Sequence, residues 1–257
     1  MAFPPQRIAQ EAENRGFHCI FLPENSHLPI NRDKTIKKFD GIKRLSKFYD
    51  PFVTLAACAA VTTEIKLGTS VCLLTQRDPI ITARVIESLE RISNNRLILG
   101  VAGGFVREAM ENHGSDFNKR WDIVRQRVIK MREIWYHVNE QNRLANRNKN
   151  KIDPLIWIGS NSNEVPKRVA EYADGWLARR DVYIGSPPAD LRLACEKQGR
   201  DLNKITLSLM DPPLSLPDIR KCINDGYRNF VYFISEATKG EVICRLNSIS
   251  KLIDKLN

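Results

Sequence analysis

The sequence predicts an α/β fold, a (β/α)8 barrel of the TIM type whose first strand is missing from this chain. Three observations predict it. Along the 257 residues, seven short apolar runs alternate strictly with eight amphipathic stretches. Such alternation implies parallel strands joined by right-handed crossovers. That many helices in this length favour a barrel over a doubly wound sheet. No G-x-G-x-x-G follows a first strand, which counts against a dinucleotide-binding sheet. The chain opens on a helix, so a barrel built from it would expose an edge where its first strand belongs.

The elements follow in order. "PPQRIAQEAENRG" reads as a helix with proline early and Gly16 as its C-cap. "HCIFLP" is a strand, and residues 28–48 are a long polar loop. Asp50 caps the helix "DPFVTLAACAAVTT". "IKLGTSVCLL" is a strand, and Asp78-Pro79 opens the helix "PIITARVIESLERIS". "RLILGVAGG" is a strand, followed by one long helical region broken near Gly114. The second half repeats the pattern: strand "PLIWIGS", helix "NEVPKRVAEYA", strand "DGWLAR", helix "SPPADLRLACEKQG", strand "ITLSLMDP", helix "LPDIRKCINDG", strand "NFVYFI" and a closing helix.

Bulk properties narrow the function. Hydrophobic residues make up 42% and charged residues 27%, which is ordinary for a water-soluble chain with a full core. No apolar run reaches the roughly 18 residues that a bilayer requires. The N-terminus lacks the apolar core of a secretion signal, and a cytoplasmic protein is expected. The six cysteines form no C-x-x-C pair and sit mostly in apolar runs, so buried free thiols are expected. His18, His27, His113 and His137 show no H-x-H or H-E-x-x-H spacing, and no metal centre is expected. The net charge is +10, and residues 119–151 hold ten Lys/Arg against three Asp/Glu. Without aromatic interleaving after Tyr136 or a nucleic-acid motif, that segment reads as a solvated face that would also receive an anionic small ligand.

In a barrel, function sits at the C-terminal ends of the strands. Those ends are Glu24, Asn25 and His27; Thr69, Ser70 and Val71; Gly103, Gly104, Arg107 and Glu108; Gly159, Ser160 and Asn161; and Ala178, Arg179 and Arg180. The set is rich in glycine, hydroxyls and arginine. It holds no paired carboxylates and no nucleophile–base pair. That suits a large polar cofactor better than hydrolysis. In "IWIGSNSNEVP" a strand ends in Gly-Ser just before a helix, where backbone N–H groups and the helix dipole can hold a phosphate. An ordinary capped turn would read the same way.

At this point the residues resemble a family. The stretch from "YDPFVTLAACAAVTT" through "GTSVCLLTQRDP" and "LILGVAGG" to "MREIW", continued by "PLIWIGSNSNEVPKRVAEYADGWL", resembles the bacterial-luciferase-like flavin- and deazaflavin-dependent oxidoreductases. The likeness covers nearly the whole chain. "PENSHLPI" and the short C-terminal half look most like the branch that uses coenzyme F-420.

The resemblance implies one barrel domain over residues 1–257, with an inserted region at about 105–150. It implies a cofactor ring at the barrel mouth, against a non-prolyl cis peptide falling at Ser70-Val71, and a phosphate on Gly159 and Ser160. The implied cofactor-binding set is Thr69, Ser70, Val71, Gly103, Gly104, Gly159, Ser160 and Asn161. In the F-420 branch a histidine usually follows the acidic residue, as in "PEH". Here Asn25 stands there, and an amide does not transfer protons near neutral pH. His27 matches a second histidine of some members and takes that role, so Glu24, Asn25 and His27 are the implied catalytic set. The implied activity is hydride transfer with F-420. The alternatives are a reduced-FMN-dependent monooxygenase on the same fold and a non-catalytic relative. A small-molecule substrate and a homodimer are the expected partners, with no membrane, and nucleic acid ranks last.

Overall fold

Aspartate and proline start most of the helices in the computed structural model, which describes residues 3–30, 45, 47–145, 151–179, 185–234 and 238–256. Proline stands in the first turn of α1 (Pro5–Glu13), α2 (Pro51–Ala59) and α3 (Pro79–Ser93), where its missing N–H costs nothing. Asp50 accepts from the N–H groups of Phe52 and Val53, and Asp78 from those of Ile80 and Ile81. Both caps are the ones the sequence indicates. α1 ends two residues before Gly16, at an Asn14 cap. The long helical region is two helices, α4 (Arg107–Asn112) and α5 (Arg120–Leu144). Between them Gly114 takes φ 72°, a value that glycine adopts without Cβ strain.

The chain forms two compact units, one of residues 21–60 and 67–154, the other of residues 1–20, 61–66 and 155–257. In the first, β2 (Lys66–Thr69) runs parallel to β4 (Leu97–Ala102), with Leu67 opposite Leu97 and Gly68 opposite Ile98. β3 (Cys72–Leu73) joins the same strand further on, with Cys72 opposite Val101. The sequence shows β2 and β3 as a single run. They are two strands, with the cis Ser70–Val71 peptide between them. All six residues of β4 are buried, as a parallel strand covered on both faces must be. α3 and α5 pack together, and Trp135 donates from its indole to the Ala83 carbonyl at 3.1 Å.

In the second unit, β5 (Leu155–Gly159), β6 (Gly175–Ala178), β7 (Thr206–Met210) and β8 (Asn229–Val231) lie side by side, all parallel. α6 (Val165–Tyr172), α7 (Pro187–Gln198), α8 (Leu216–Asp225) and α9 (Lys239–Asp254) alternate with them. β6 is wholly buried, whereas every residue of β8 is only half-buried. β1 (Cys19–Leu22) is half-buried throughout as well. Most of loop 28–48, the end of the basic segment at 146–150 and Arg180 lie outside the described residues. Cys58, Cys72, Cys195 and Cys222 are buried free thiols, and burial pushes the Cys58 thiol up to about 11.

Candidate functional site

The end of β1 is held by a carboxylate. Glu24 Oε2 accepts from the Leu73 N–H at 2.6 Å, and Oε1 accepts from Arg77 Nε at 2.5 Å. The Arg77 guanidinium also pairs with Asp50 Oδ2 at 2.6 Å, and its Cζ lies 4.8 Å from the centre of the Phe52 ring. Burial alone would raise the Asp50 carboxyl. The Arg77 hydrogen bond and charge, with the N–H groups at the start of α2, hold it below its ordinary value instead. The Glu24 side chain is 7% exposed. Both its oxygens are therefore engaged in fixing the end of β3 and the Arg77 loop.

Asn25 follows, and its amide donates to the Leu45 carbonyl at 3.2 Å. Ser26 and His27 then meet residues from β3 onward and from α4. Ser26 Oγ donates to Gln76 Oε1 at 2.6 Å and lies 2.9 Å from His27 Nδ1. His113 Nε2 is 3.1 Å from the same hydroxyl, and Asn112 Nδ2 is 2.9 Å from His27 Nε2. The two imidazole centres are 5.6 Å apart. Burial and the neighbouring His27 charge hold the His113 imidazole below its usual value.

The predicted cofactor residues of this unit gather at the same strand ends. Thr69 is buried and donates its hydroxyl to the Gly100 carbonyl at 2.7 Å. The Ser70 N–H donates to the Leu22 carbonyl at 2.8 Å, and Ser70 and Val71 are half-buried on either side of the cis peptide. Gly103 is buried against the Arg120 stem, and an added Cβ would lie 3.1 Å from Arg120 Cγ. Its carbonyl accepts from the Thr75 hydroxyl at 2.9 Å. Gly104 takes φ 79° and forms the tight turn itself. Arg107 and Arg120 each lie 4.2 Å from the Phe117 ring, on a face built by α4 and the start of α5.

The turn after β5 belongs to the other unit. Gly159 and Ser160 are half-buried, and the Ser160 carbonyl accepts from the Trp176 indole at 2.9 Å. Asn161 Oδ1 accepts from the Arg179 N–H at 2.9 Å. The backbone N–H groups of Ser162, Asn163 and Glu164 find no acceptor among the described residues. Arg168 reaches the Ser162 hydroxyl at 3.0 Å. Free N–H groups ahead of a helix, with a guanidinium beside them, are the donor set that a phosphate monoester requires. The residues present therefore fit a phosphate-bearing group.

Sequence reasoning missed Ser26, Gln76, Asn112 and His113 as parts of one cluster. His27 and Asn112 are 85 positions apart, and no local spacing links them. It also missed Arg77, whose partners Glu24 and Asp50 come from separate segments.

Parallel strands joined by helices, with hydroxyls, glycines and imidazoles gathered at strand ends, define an α/β protein of the kind that positions a cofactor. The profile of the luciferase-like monooxygenases matches residues 6–227. This chain belongs to that family. An uncharacterized protein of Mycobacterium bovis is 29% identical over 215 residues, covering 77% of this chain and 75% of the relative. Among solved structures, monooxygenase RslO1 from Streptomyces bottropensis superposes with a TM-score of 0.73 at 14% identity, covering 98% of this chain and 92% of that one. The coenzyme F-420-dependent tetrahydromethanopterin reductase from Methanopyrus kandleri superposes at 0.53 and 19% identity, covering 82% and 63%. The oxygenating constituent of a diketocamphane monooxygenase from Pseudomonas putida, solved with FMN, superposes at 0.56 and 16%, covering 86% and 66%. These likenesses show the fold.

Proposed function

We propose that the chain is a hydride-transfer oxidoreductase that uses the deazaflavin coenzyme F-420 on a small-molecule substrate. The observation that carries the reading is the phosphate-type donor set after β5, in a family of flavin-type enzymes. The net charge of +10 supports F-420 over FMN, because only the former carries a polyacidic tail. When bound, the coenzyme supplies the carbon that gives or takes the hydride. Gly159, Ser160 and Asn161 would hold its phosphate, and Ser70 and Val71 would line its ring. Thr69 and Gly103 support these positions from the sheet. Glu24 and Asn25 hold the loops, and His27 is the group that gives or takes a proton.

The same reading carries a single-domain (β/α)8 barrel over residues 1–257, which the alternation of parallel strands with helices supports. A cytoplasmic setting is supported by the buried free thiols. No helix among the described residues is long and apolar enough to cross a membrane. A homodimer is supported by the outer face of α2, where Val53 is 72% exposed and Ala57 and Ala60 are exposed beside it. A second reading, a reduced-FMN-dependent monooxygenase, is favoured by the FMN in the Pseudomonas structure.

Equilibrium binding of F-420 and FMN to the purified chain, at low and high salt, tests the proposal. Tighter F-420 binding that weakens with salt supports it. FMN preference moves the reading to the monooxygenase. A folded chain that binds neither overturns both.

A further inference from the structure

A cavity of about 400 Å³ opens between α1 and the start of α9. That is the size of a small-ligand site. All its lining residues belong to the second unit. It lies beside the segment that enters β2 and shares no residue with the turn after β5. Phe3 and Val61, both half-buried, give it an apolar wall. Arg7, Gln10, Asn14 and Lys239 give it a polar one, and Glu11 and Glu13 complete the lining.

What the polar wall can offer a ligand follows from the bonds already made. Glu13 Oε1 accepts from the N–H groups of Thr63, Glu64 and Ile65 at 2.9, 2.7 and 2.9 Å. Glu11 Oε2 lies 2.5 Å from Arg15 Nη1, and Arg15 Nε donates to Asn247 Oδ1 of α9 at 2.8 Å. Gln10 gives its carbonyl oxygen to Arg7 Nη1 at 2.8 Å. The Glu241 carboxylate, two positions past Lys239, accepts from the Thr238 N–H and hydroxyl at 2.8 Å each. The start of α9 is thereby capped from within the chain. The acceptors around the cavity are thus taken up by the protein's own donors. Arg7, Arg15 and Lys239 also outnumber Glu11 and Glu13, so the wall carries a positive surplus. With Nη1 of Arg7 held by Gln10, the Nη2 edge of the guanidinium is left for a planar anion.

We propose that this cavity binds a small carboxylic acid as its anion, with the carboxylate on Arg7 and Lys239 and an apolar body against Phe3 and Val61. The site stands apart from the coenzyme reading and does not depend on it.

The test is a titration of the full chain with benzoate, benzamide and acetate, followed by ¹H–¹⁵N shifts of the backbone and the side-chain amides. Benzoate should move the signals of Arg7, Gln10, Asn14 and Lys239 and should saturate. Benzamide has the ring without the charge, and acetate the charge without the ring. Each should bind about tenfold more weakly than benzoate. Arg7→Gln should weaken benzoate by about tenfold, and Lys239→Gln by less, because a lone ammonium at the surface contributes less than a guanidinium pair. Both side chains are exposed, so neither substitution threatens the fold. Benzamide or acetate matching benzoate overturns the proposal. So do shifts that never saturate or that gather outside the cavity, and so does an unchanged benzoate affinity in Arg7→Gln. F-420 and FMN should bind Arg7→Gln as they bind the wild type. A loss of coenzyme affinity in that variant would put Arg7 in the coenzyme site and overturn the separate one.

Discussion

At the end of β1 each polar side chain from Glu24 to His27 is bonded to a neighbour in its own unit, whereas the turn after β5 leaves the N–H groups of three successive residues without an acceptor among the described residues. Both regions read in the sequence as polar residues following an apolar strand. The difference lies in what the side chains reach. Glu24 finds a guanidinium and a backbone N–H, so its charge is spent on holding loops. Ser162 and Asn163 stand ahead of a helix, where the geometry of the first turn leaves donors over. Substitutions should therefore damage the first region through stability and the second through ligand affinity.

The largest expected effect sharpens that contrast. Glu24→Ala removes both acceptors and leaves Leu73 N–H and Arg77 facing a void. Breaking a mostly buried pair typically costs about 3 kcal/mol, and urea denaturation should show a loss of that order. A loss within about 0.5 kcal/mol, the level of an ordinary surface change, would mean that the Glu24 bonds are incidental.

Next is Arg168→Gln, which removes the charge beside the turn and keeps a donor for the Ser162 hydroxyl. FMN or F-420 affinity should fall by about tenfold, the worth of one charge-assisted hydrogen bond. The urea midpoint should stay in place. Unchanged affinity would break the comparison, since the turn would then be an ordinary capped helix start.

Asp50→Asn gives a smaller effect, confined to acid. The Asp50 carboxyl lies below its ordinary value of 3.8 in the folded chain, because Arg77 and the α2 N–H groups outweigh burial. A depressed carboxylate contributes stability above its unfolded value and loses it as pH falls through the folded one. The variant should be less stable than wild type near neutrality and should show a flatter decline in acid. Parallel acid limbs in the two proteins would show that Arg77 is held by Glu24 alone.

How much of this was legible in the sequence follows from which interactions are local. The Asp50 and Asp78 caps lie within three residues of the N–H groups they serve, and both could be read directly. The alternation of strands and helices was equally local. The break between β2 and β3 was not visible as periodicity, since "IKLGTSVCLL" reads as one strand without interruption; only the family resemblance pointed to Ser70-Val71. The glycines in "GVAGG" could be seen, but not their reasons. Gly103 makes room for Arg120, which comes 17 positions later in the sequence. The imidazole pair was invisible because Ser26 and His113 are 87 residues apart and meet only once β1 and α4 are placed.

That distant pair also carries the smallest effect on stability, and its sign can be worked out. His113 is held below the ordinary imidazole value of 6.5 in the folded chain, by burial first and by the His27 charge second. Between the lowered folded value and the unfolded one, the unfolded chain binds more protons, so stability rises with pH across that window and is level above it. His113 is exposed to water, which keeps the slope shallow. His113→Asn should flatten the urea midpoint against pH below about 6.5, the ordinary imidazole value, and change nothing above it. His27→Asn should flatten the same window in part, because it removes the charge that helps to depress His113. If His113→Asn leaves the slope intact, the proton uptake on unfolding belongs to another group.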